Sequence, residues 1–317
     1  MPDVFTSIAT GGGWQTNTVK AAWDLAFRTA LNPMPLCRQF VDVRPTRPTH
    51  QGNSVTIQLT QNHSEATVTA AKTPLAEESD VSATQHPPTT SVTLTPNEYG
   101  FAEVSTIKLG NRSMVPLDPE KARVTADHCA KTIDELLQDQ MITGTQVYRA
   151  AGRASTATVA AGDVTTASMV RLAVTKLRAN GAETRDGEFF VGLVHPNVVH
   201  DLRQEAGTGG WRVPNEYGMS QGQIWKGEFA EFEGVRFVQN ARLRKAADGA
   251  SSATVYRSFI LGREALAEAV VTEPGLRFGA VVDRLQRFLP IGWYADLDFK
   301  VFRDQALVRL ESASSAS

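Results

Sequence analysis

The sharpest pattern in the chain is a strict alternation at residues 54–60, with Val55, Ile57 and Leu59 on one face and Ser54, Thr56, Gln58 and Thr60 on the other. That two-residue period predicts a half-buried strand. A partner strand with Val92 and Leu94 is expected at residues 91–95. The residues between them are rich in Thr, Ser, Ala and Glu and hold only a weak alternating piece, Ala66 to Ala70. Connections this long are uncommon in a compact domain and are usually functional or disordered.

The period then changes. Asp118-Pro119-Glu120 sets a capping carboxylate, a proline at the first helical position and an acid in the first turn, which together start a helix. Val124, Ala126, Ala130, Ile133, Leu137 and Met141 form its stripe to about Gln140, with Gly144 just beyond. At about 1.5 Å per residue this helix is some 35 Å long. A second helix is expected from Thr165 or Thr166 through Met169, Leu172, Ala173 and Leu177 to Asn180-Gly181. A buried strand at Glu188 to Val194 leads into a short helix opened by His195-Pro196-Asn197, followed by a Gly-rich turn at 207–210 and strands at 234–238 and 255–261. Strands separated by helices predict a small α/β layer. Alternation returns in Leu285, Arg287 and Leu289, in Leu297, Phe299 and Val301, and in Leu307, Val308 and Leu310. Residues 1–50 read as an arm: a helical stretch at 16–30, stopped by Asn32-Pro33, then an extended run with Pro35, Pro45 and Pro48.

Composition narrows the function by exclusion. The chain has 317 residues, 32 basic and 34 acidic side chains, and a formal net charge of −2. The length leaves room for about two domains. A chain so balanced lacks the basic footprint of a nucleic-acid binder. No window is long and apolar enough to span a membrane, and the N-terminal residues do not have a signal peptide's pattern, so use in a cytosol is expected. Cys37 and Cys129 are far apart in sequence and are not expected to pair. The charge is nevertheless uneven. Residues 51–100 carry Lys72 against Glu65, Glu77, Glu78, Asp80 and Glu98, whereas residues 236–317 hold 12 basic and 9 acidic side chains.

Candidate chemistry is sparse. Asp127-His128-Cys129 has the residue types of a nucleophile, a base and an orienting acid, but on consecutive helical positions the side chains diverge by about 100°. His195, His200 and Asp201 have poor spacing for ligating a metal from one helix face. The Gly11-Gly12-Gly13 and Gly207–Gly210 clusters lack the Lys-Ser/Thr of a phosphate loop. Trp211, Trp225 and Trp293 read as packing residues. Neither a catalytic set, nor a cofactor, nor a metal site is predicted.

A family resemblance supplies what chemistry does not. Phe189-Phe190-Val191-Gly192-Leu193-Val194-His195-Pro196 followed by Asp201-Leu202-Arg203, then Gln223 to Glu228 and Gly234 to Val238, resembles the N-four-type major capsid proteins of tailed phages. Thr89 to Ser105 with Tyr99-Gly100, Thr132 to Leu136, Ile291 to Tyr294 and Asp304 to Leu310 agree with it. The resemblance covers residues 50–311 and implies an α+β chain with the HK-ninety-seven shell fold. It implies an N-terminal arm at 1–50, an extended β-hairpin loop at 51–106, and a peripheral domain at 107–144 and 271–311 built on a spine helix at 118–141. An α/β axial domain at 145–270 and a polar tail at 312–317 complete it.

The function so implied is non-enzymatic: a major capsid protein, assembled in the bacterial host cytoplasm into hexamers and pentamers that close an icosahedral virion shell. Its partners would be copies of itself, a portal, a separate scaffolding protein, decoration proteins, and packaged double-stranded DNA held without sequence-specific contact; no membrane is implied. No Lys and Asn pair for covalent cross-linking stands out. Intersubunit contact is expected from Glu77, Glu78 and Asp80 against Arg284 or Arg287, with Arg44 and Arg47 contributing from the arm. A loop at the capsomer axis is expected around Arg242, Arg244 and Asp248. An encapsulin-like compartment and an uncharacterised hydrolase using His128 or Cys129 are the alternatives.

Overall fold

The structure is a computed structural model that describes residues 36–44, 52–74, 77–78, 80, 84–112, 117–185, 187–205, 228–278 and 287–316. The arm helix at 16–30 and the Gly-rich turn at 207–210 lie outside the described residues. In chain order, a strap at residues 36–44 is followed by β1 (Val55–Thr60), α1 (Glu65–Ala71), β2 (Thr89–Leu94), β3 (Asn97–Thr106), α2 (Ile107–Arg112) and the long α3 (Leu117–Ile142). Next come β4 (Val147–Arg149), α4 (Ala167–Ala179), β5 (Phe190–Val194), α5 (Pro196–Gln204), β6 (Glu228–Phe232), β7 (Val235–Gln239) and β8 (Lys245–Ala246). The chain ends with β9 (Val255–Leu261), β10 (Leu266–Phe278), β11 (Phe288–Val301) and β12 (Leu307–Ser312).

The described strands form three sheets. β1 and β2 make an antiparallel pair in register from Val55 opposite Leu94 to Thr60 opposite Thr89. A three-stranded antiparallel sheet has the order β10-β11-β3. A seven-stranded mixed sheet has the order β4-β12-β9-β5-β7-β6, with β8 on β9; β5 and β7 are parallel, as are β12 and β4.

Side-chain alternation explains why β5 is apolar throughout. Val191 and Leu193 enter the core shared with α3, while Phe190 and Val194 enter a second core under α4 and α5. Buried on both faces, the strand reads as a continuous apolar run. Gly192 is required at its centre, because a Cβ there would lie 2.7 Å from the Phe237 ring.

Three readings are corrected by the structure. The piece Ala66 to Ala70 is helical, in α1, where the Val68 amide donates to the Ser64 carbonyl at 3.2 Å. The α3 stripe runs through Thr125, Cys129, Ile133, Leu137 and Met141, four residues apart, and leaves Val124 48% exposed and Ala126 exposed. Finally, Leu307 to Leu310 does not continue the sheet of β10 and β11. A turn at Asp304–Ala306 carries the chain across to pair with β9 in the seven-stranded sheet, Leu307 opposite Leu261.

α3, the three-stranded sheet and the seven-stranded sheet are held together by one apolar cluster that takes Ile133, Leu137 and Met141 from the helix, Trp293, Ala295 and Leu297 from β11, and Leu193, Phe259 and Leu307 from the seven-stranded sheet. At about 25 cal/mol per Å² this shared burial is the main force fixing the sheets to one another.

Candidate assembly surfaces

The geometry removes the catalytic candidates first. Asp127 pairs with Lys131 one turn along α3. His128 accepts at Nδ1 from the Trp293 indole N–H at 3.0 Å and stacks 4.5 Å from the Phe101 ring. Cys129 turns into the core, where burial raises its thiol pKa. The three groups thus serve three different neighbours. His195 caps α5, accepting from the Asn197 amide at 3.2 Å, and sits 4.8 Å from the Tyr256 ring. Burial, then the nearby Lys245 charge, lowers its pKa to about 4, against a backbone hydrogen bond with Ala241 that acts the other way. Asp201 accepts from the Ser315 amide and hydroxyl near the C-terminus. Among the described residues no His, Cys, Asp and Glu cluster has metal-binding geometry. Trp293 is a core residue, 4% exposed; Trp211 and Trp225 lie outside the described residues.

The strap 36–44 is the first structural feature that sequence spacing did not single out. Its Cys37 amide donates to Asp134 of α3 at 2.9 Å. Arg185 donates to the carbonyls of Phe40 at 2.8 Å and Gln39 at 3.2 Å, and pairs with Asp42 at 2.5 Å. Val43 bridges to β10, donating to Leu266 and accepting from Glu268. The Glu268 side chain, fully buried, pairs with Arg38 at 2.7 Å and Arg44 at 3.3 Å. Burial works against the Arg38 charge, yet Glu268 raises its pKa overall. One nine-residue segment is therefore bonded to the long helix, to the α/β layer and to the three-stranded sheet. These partners lie up to 235 residues away in sequence, so no local motif could reveal them.

Beyond the strap the chain enters the β1–β2 hairpin. Its base is seated: Ile57, Leu59 and Val92 pack with Val43 on Leu94, Ala267, Ala269 and Phe302. Lys300 donates to the Thr93 carbonyl, and Asp298 accepts from the Thr95 amide. Past Thr60 the support ends. No described side chain between residues 61 and 88 is buried, and Val68 is 44% exposed. Glu77, Glu78 and Asp80 are all exposed on this excursion.

The remaining predicted contact residues are placed as follows. Arg44 is engaged inside the chain with Glu268. Arg287 is exposed, its guanidinium 5.5 Å from the Phe288 ring centre. Arg47 and Arg284 lie outside the described residues. Arg242 and Arg244 turn toward α3, pairing with Glu135 at 3.0 Å and Asp139 at 3.0 Å respectively, while Asp248 pairs with Arg257. These two arginines stitch the α/β layer to the long helix.

Another buried carboxylate gathers arginines on β12. Glu311 of β12, 1% exposed, pairs with Arg149 at 2.8 Å and Arg309 at 3.1 Å, and accepts from the Thr156 hydroxyl at 2.8 Å. Arg257 stands 3.9 Å away. Burial, with the Arg257 and Arg149 charges, lowers the Arg309 pKa despite Glu311. Arg309 also donates to the Ile142 carbonyl at the C-terminus of α3, where a cation suits the helix dipole.

Comparison with known proteins bears on both the family and the fold. A family model described as phage capsid protein matches residues 138–296, half of the chain. No curated protein matches. Among solved structures, the chain is similar to the capsid of Ralstonia phage GP4, at 14% identity and TM-score 0.71 over 98% of both chains. It is similar to the Cyanophage Pam1 capsid asymmetric unit, at 12% identity and TM-score 0.71 over 100% of both. The mature capsid of bacteriophage PhiM1 matches at 13% identity and TM-score 0.66, over 98% of this chain and 97% of that one. At these identities the likeness is one of fold: a mixed α+β arrangement of the HK-ninety-seven type. It does not reach the narrower N-four-type grouping, which rests on the sequence resemblance alone.

Proposed function

We propose, from the premise that this chain belongs to the phage capsid protein family, that it is the major subunit of an icosahedral phage shell, closing as hexamers and pentamers around packaged double-stranded DNA. Its role is structural. The observation that carries the reading is the excursion at residues 61–88, seated at its base and without a buried side chain along its described length. Polypeptide whose described side chains reach no core recovers little of its ordering cost within the subunit. A surface on another copy is what this loop is built to meet.

Charge supports the same partner. The excursion is acidic, whereas the region from residue 236 onward carries a basic excess. Contact between unlike patches of identical chains is heterologous, the kind that closes rings. We assign Glu77, Glu78 and Asp80 to contact with Arg284 or Arg287 of a neighbouring copy, and the region 51–106 to the extended loop. α3 takes the part of the spine helix and the α/β layer that of the axial domain, with β12 belonging to the latter. Each exposed ion pair contributes about 0 to 1 kcal/mol, so closure rests on many such contacts and on apolar area. Portal, scaffolding and decoration proteins are the further partners, met in the host cytoplasm.

Electron microscopy of the purified chain, alone and co-expressed with the neighbouring head genes, tests the reading. Shell-sized closed particles are expected. The double variant Glu77→Lys/Glu78→Lys should assemble poorly and lose the salt dependence of assembly. Unchanged shells and an unchanged salt dependence would remove the proposed pairing, while a dispersed monomer under every condition would remove the shell function.

A further inference from the structure

The three-stranded sheet has two edges that are treated differently. β10 is blunted: its register against β11 shifts between Val270 and Thr272 and again between Thr272 and Gly275, it carries Pro274, and Val43 bridges to its first turn at Ala267. Bulges, prolines and covering segments are the devices that keep an edge from pairing with another chain. Among the described residues, β3 has none of them. It is ten residues long, pairs with β11 in unbroken register from Asn97 to Thr106, has neither proline nor lysine, and is the last strand of its sheet among the described residues. Phe101 is 44% and Val104 56% exposed.

We propose that the β3 edge is an assembly surface whose occupant is β3 of a second copy, paired antiparallel across a two-fold axis. The inference rests on the shell reading, since it requires copies of this chain to meet. The sequence of β3 is compatible with itself in this geometry. For a two-fold normal to the sheet, residues on one face must oppose residues on the same face, so opposed positions differ by an even number. Glu98 and Glu103 differ by an odd number, and so never face each other. Centring the axis on Ala102 places Phe101 opposite Glu103, Gly100 opposite Val104, Tyr99 opposite Ser105 and Glu98 opposite Thr106. No like charges are opposed, and the small Ala102 side chain sits at the axis where two copies approach most closely. Such a pair is isologous and adds a symmetric contact to the heterologous ones of a ring. A ladder of nine residues is a small interface, effective only when multiplied over a shell.

The test uses the full chain in assembled particles. Ala102 is exposed and tolerates a thiol. Mild oxidation of Ala102→Cys particles should give a covalent dimer on a non-reducing gel, whereas Val104→Cys, opposed to Gly100 rather than to itself, should give at least tenfold less. The unmodified chain, whose Cys37 and Cys129 are buried, is the blank. Well-formed particles with no dimer from Ala102→Cys, or with equal dimer from both variants, would overturn the pairing and leave the shell function standing. Failure of the unmodified chain to form particles would instead strike at the shell function. As a second readout, Ala102→Lys sets like charges together at the axis and should cut particle yield severalfold; normal yield would count against the proposal.

Discussion

At the scale of single residues, His195 shows how a side chain weighed as a metal ligand serves instead as a structural cap. Its Nδ1 accepts from the Asn197 amide, a role that requires the neutral ring. With a pKa of about 4 in the folded chain and about 6.5 when unfolded, the unfolded state binds the proton first as pH falls. Stability is therefore complete above pH 6.5, falls between 6.5 and 4, and levels off below. At pH 5 the loss is about 2 kcal/mol relative to neutral pH. His195→Asn keeps a capping acceptor but does not titrate; denaturant midpoints should fall less between pH 7.5 and pH 5 for the variant than for the parent. Equal falls would place the acid sensitivity elsewhere.

Among the elements, two of the buried carboxylates, Glu268 and Glu311, make a controlled comparison. Glu268 and Glu311 are both sealed and both face arginines, but Arg38 and Arg44 remain 34% and 56% exposed, whereas Arg257 and Arg309 are each 11% exposed. When its carboxylate is removed, an exposed guanidinium turns to water and a buried one cannot. Glu311→Gln should thus cost about 3 to 5 kcal/mol and lower the unfolding temperature of the whole chain. Glu268→Gln should cost about 1 kcal/mol, within the range of partly exposed pairs, and act locally by speeding proteolysis at residues 36–44. Equal losses in global stability would refute this account. The same contrast shows what was legible beforehand. Local periodicity revealed β1, α3, α4, β5 and α5, because each buries its own apolar stripe. The bounds implied by the resemblance set Leu307 to Leu310 with β11, since alternation marks a strand but not its sheet, and the choice of β9 depends on a turn at Asp304–Ala306. Periodicity was silent on the strap, whose meaning lies in Asp134, Arg185 and Glu268, and on the pairing of Arg242 and Arg244 with acids of α3.

For the whole molecule, the strap and hairpin divide what folds from what assembles. Val43 at the end of the strap shares an apolar cluster with Ile57, Leu59 and Val92 at the hairpin base, so the hairpin strands up to Thr60 and from Thr89 are fixed by the subunit's own core. The described residues of the excursion between them contribute exposed side chains and charge without burial. Because loop-closure entropy changes only slowly with length, replacing residues 61–88 by a two-residue Asn-Gly turn, which suits an antiparallel hairpin, should leave the unfolding temperature nearly unchanged. Circular dichroism and thermal melts should then report a folded subunit, while sedimentation should show it unable to form closed particles. If the shortened chain still closes shells, the excursion is dispensable and the contacts that drive closure lie on the folded body. If instead it unfolds, the loop supports its own subunit in a way its exposed side chains do not indicate. The division of labour requires the third result, a stable fold without assembly, and it is the near-neutral net charge of −2 that makes this result informative. With no large self-repulsion to keep copies apart, loss of assembly in the shortened chain reports the missing surface rather than a change in bulk charge.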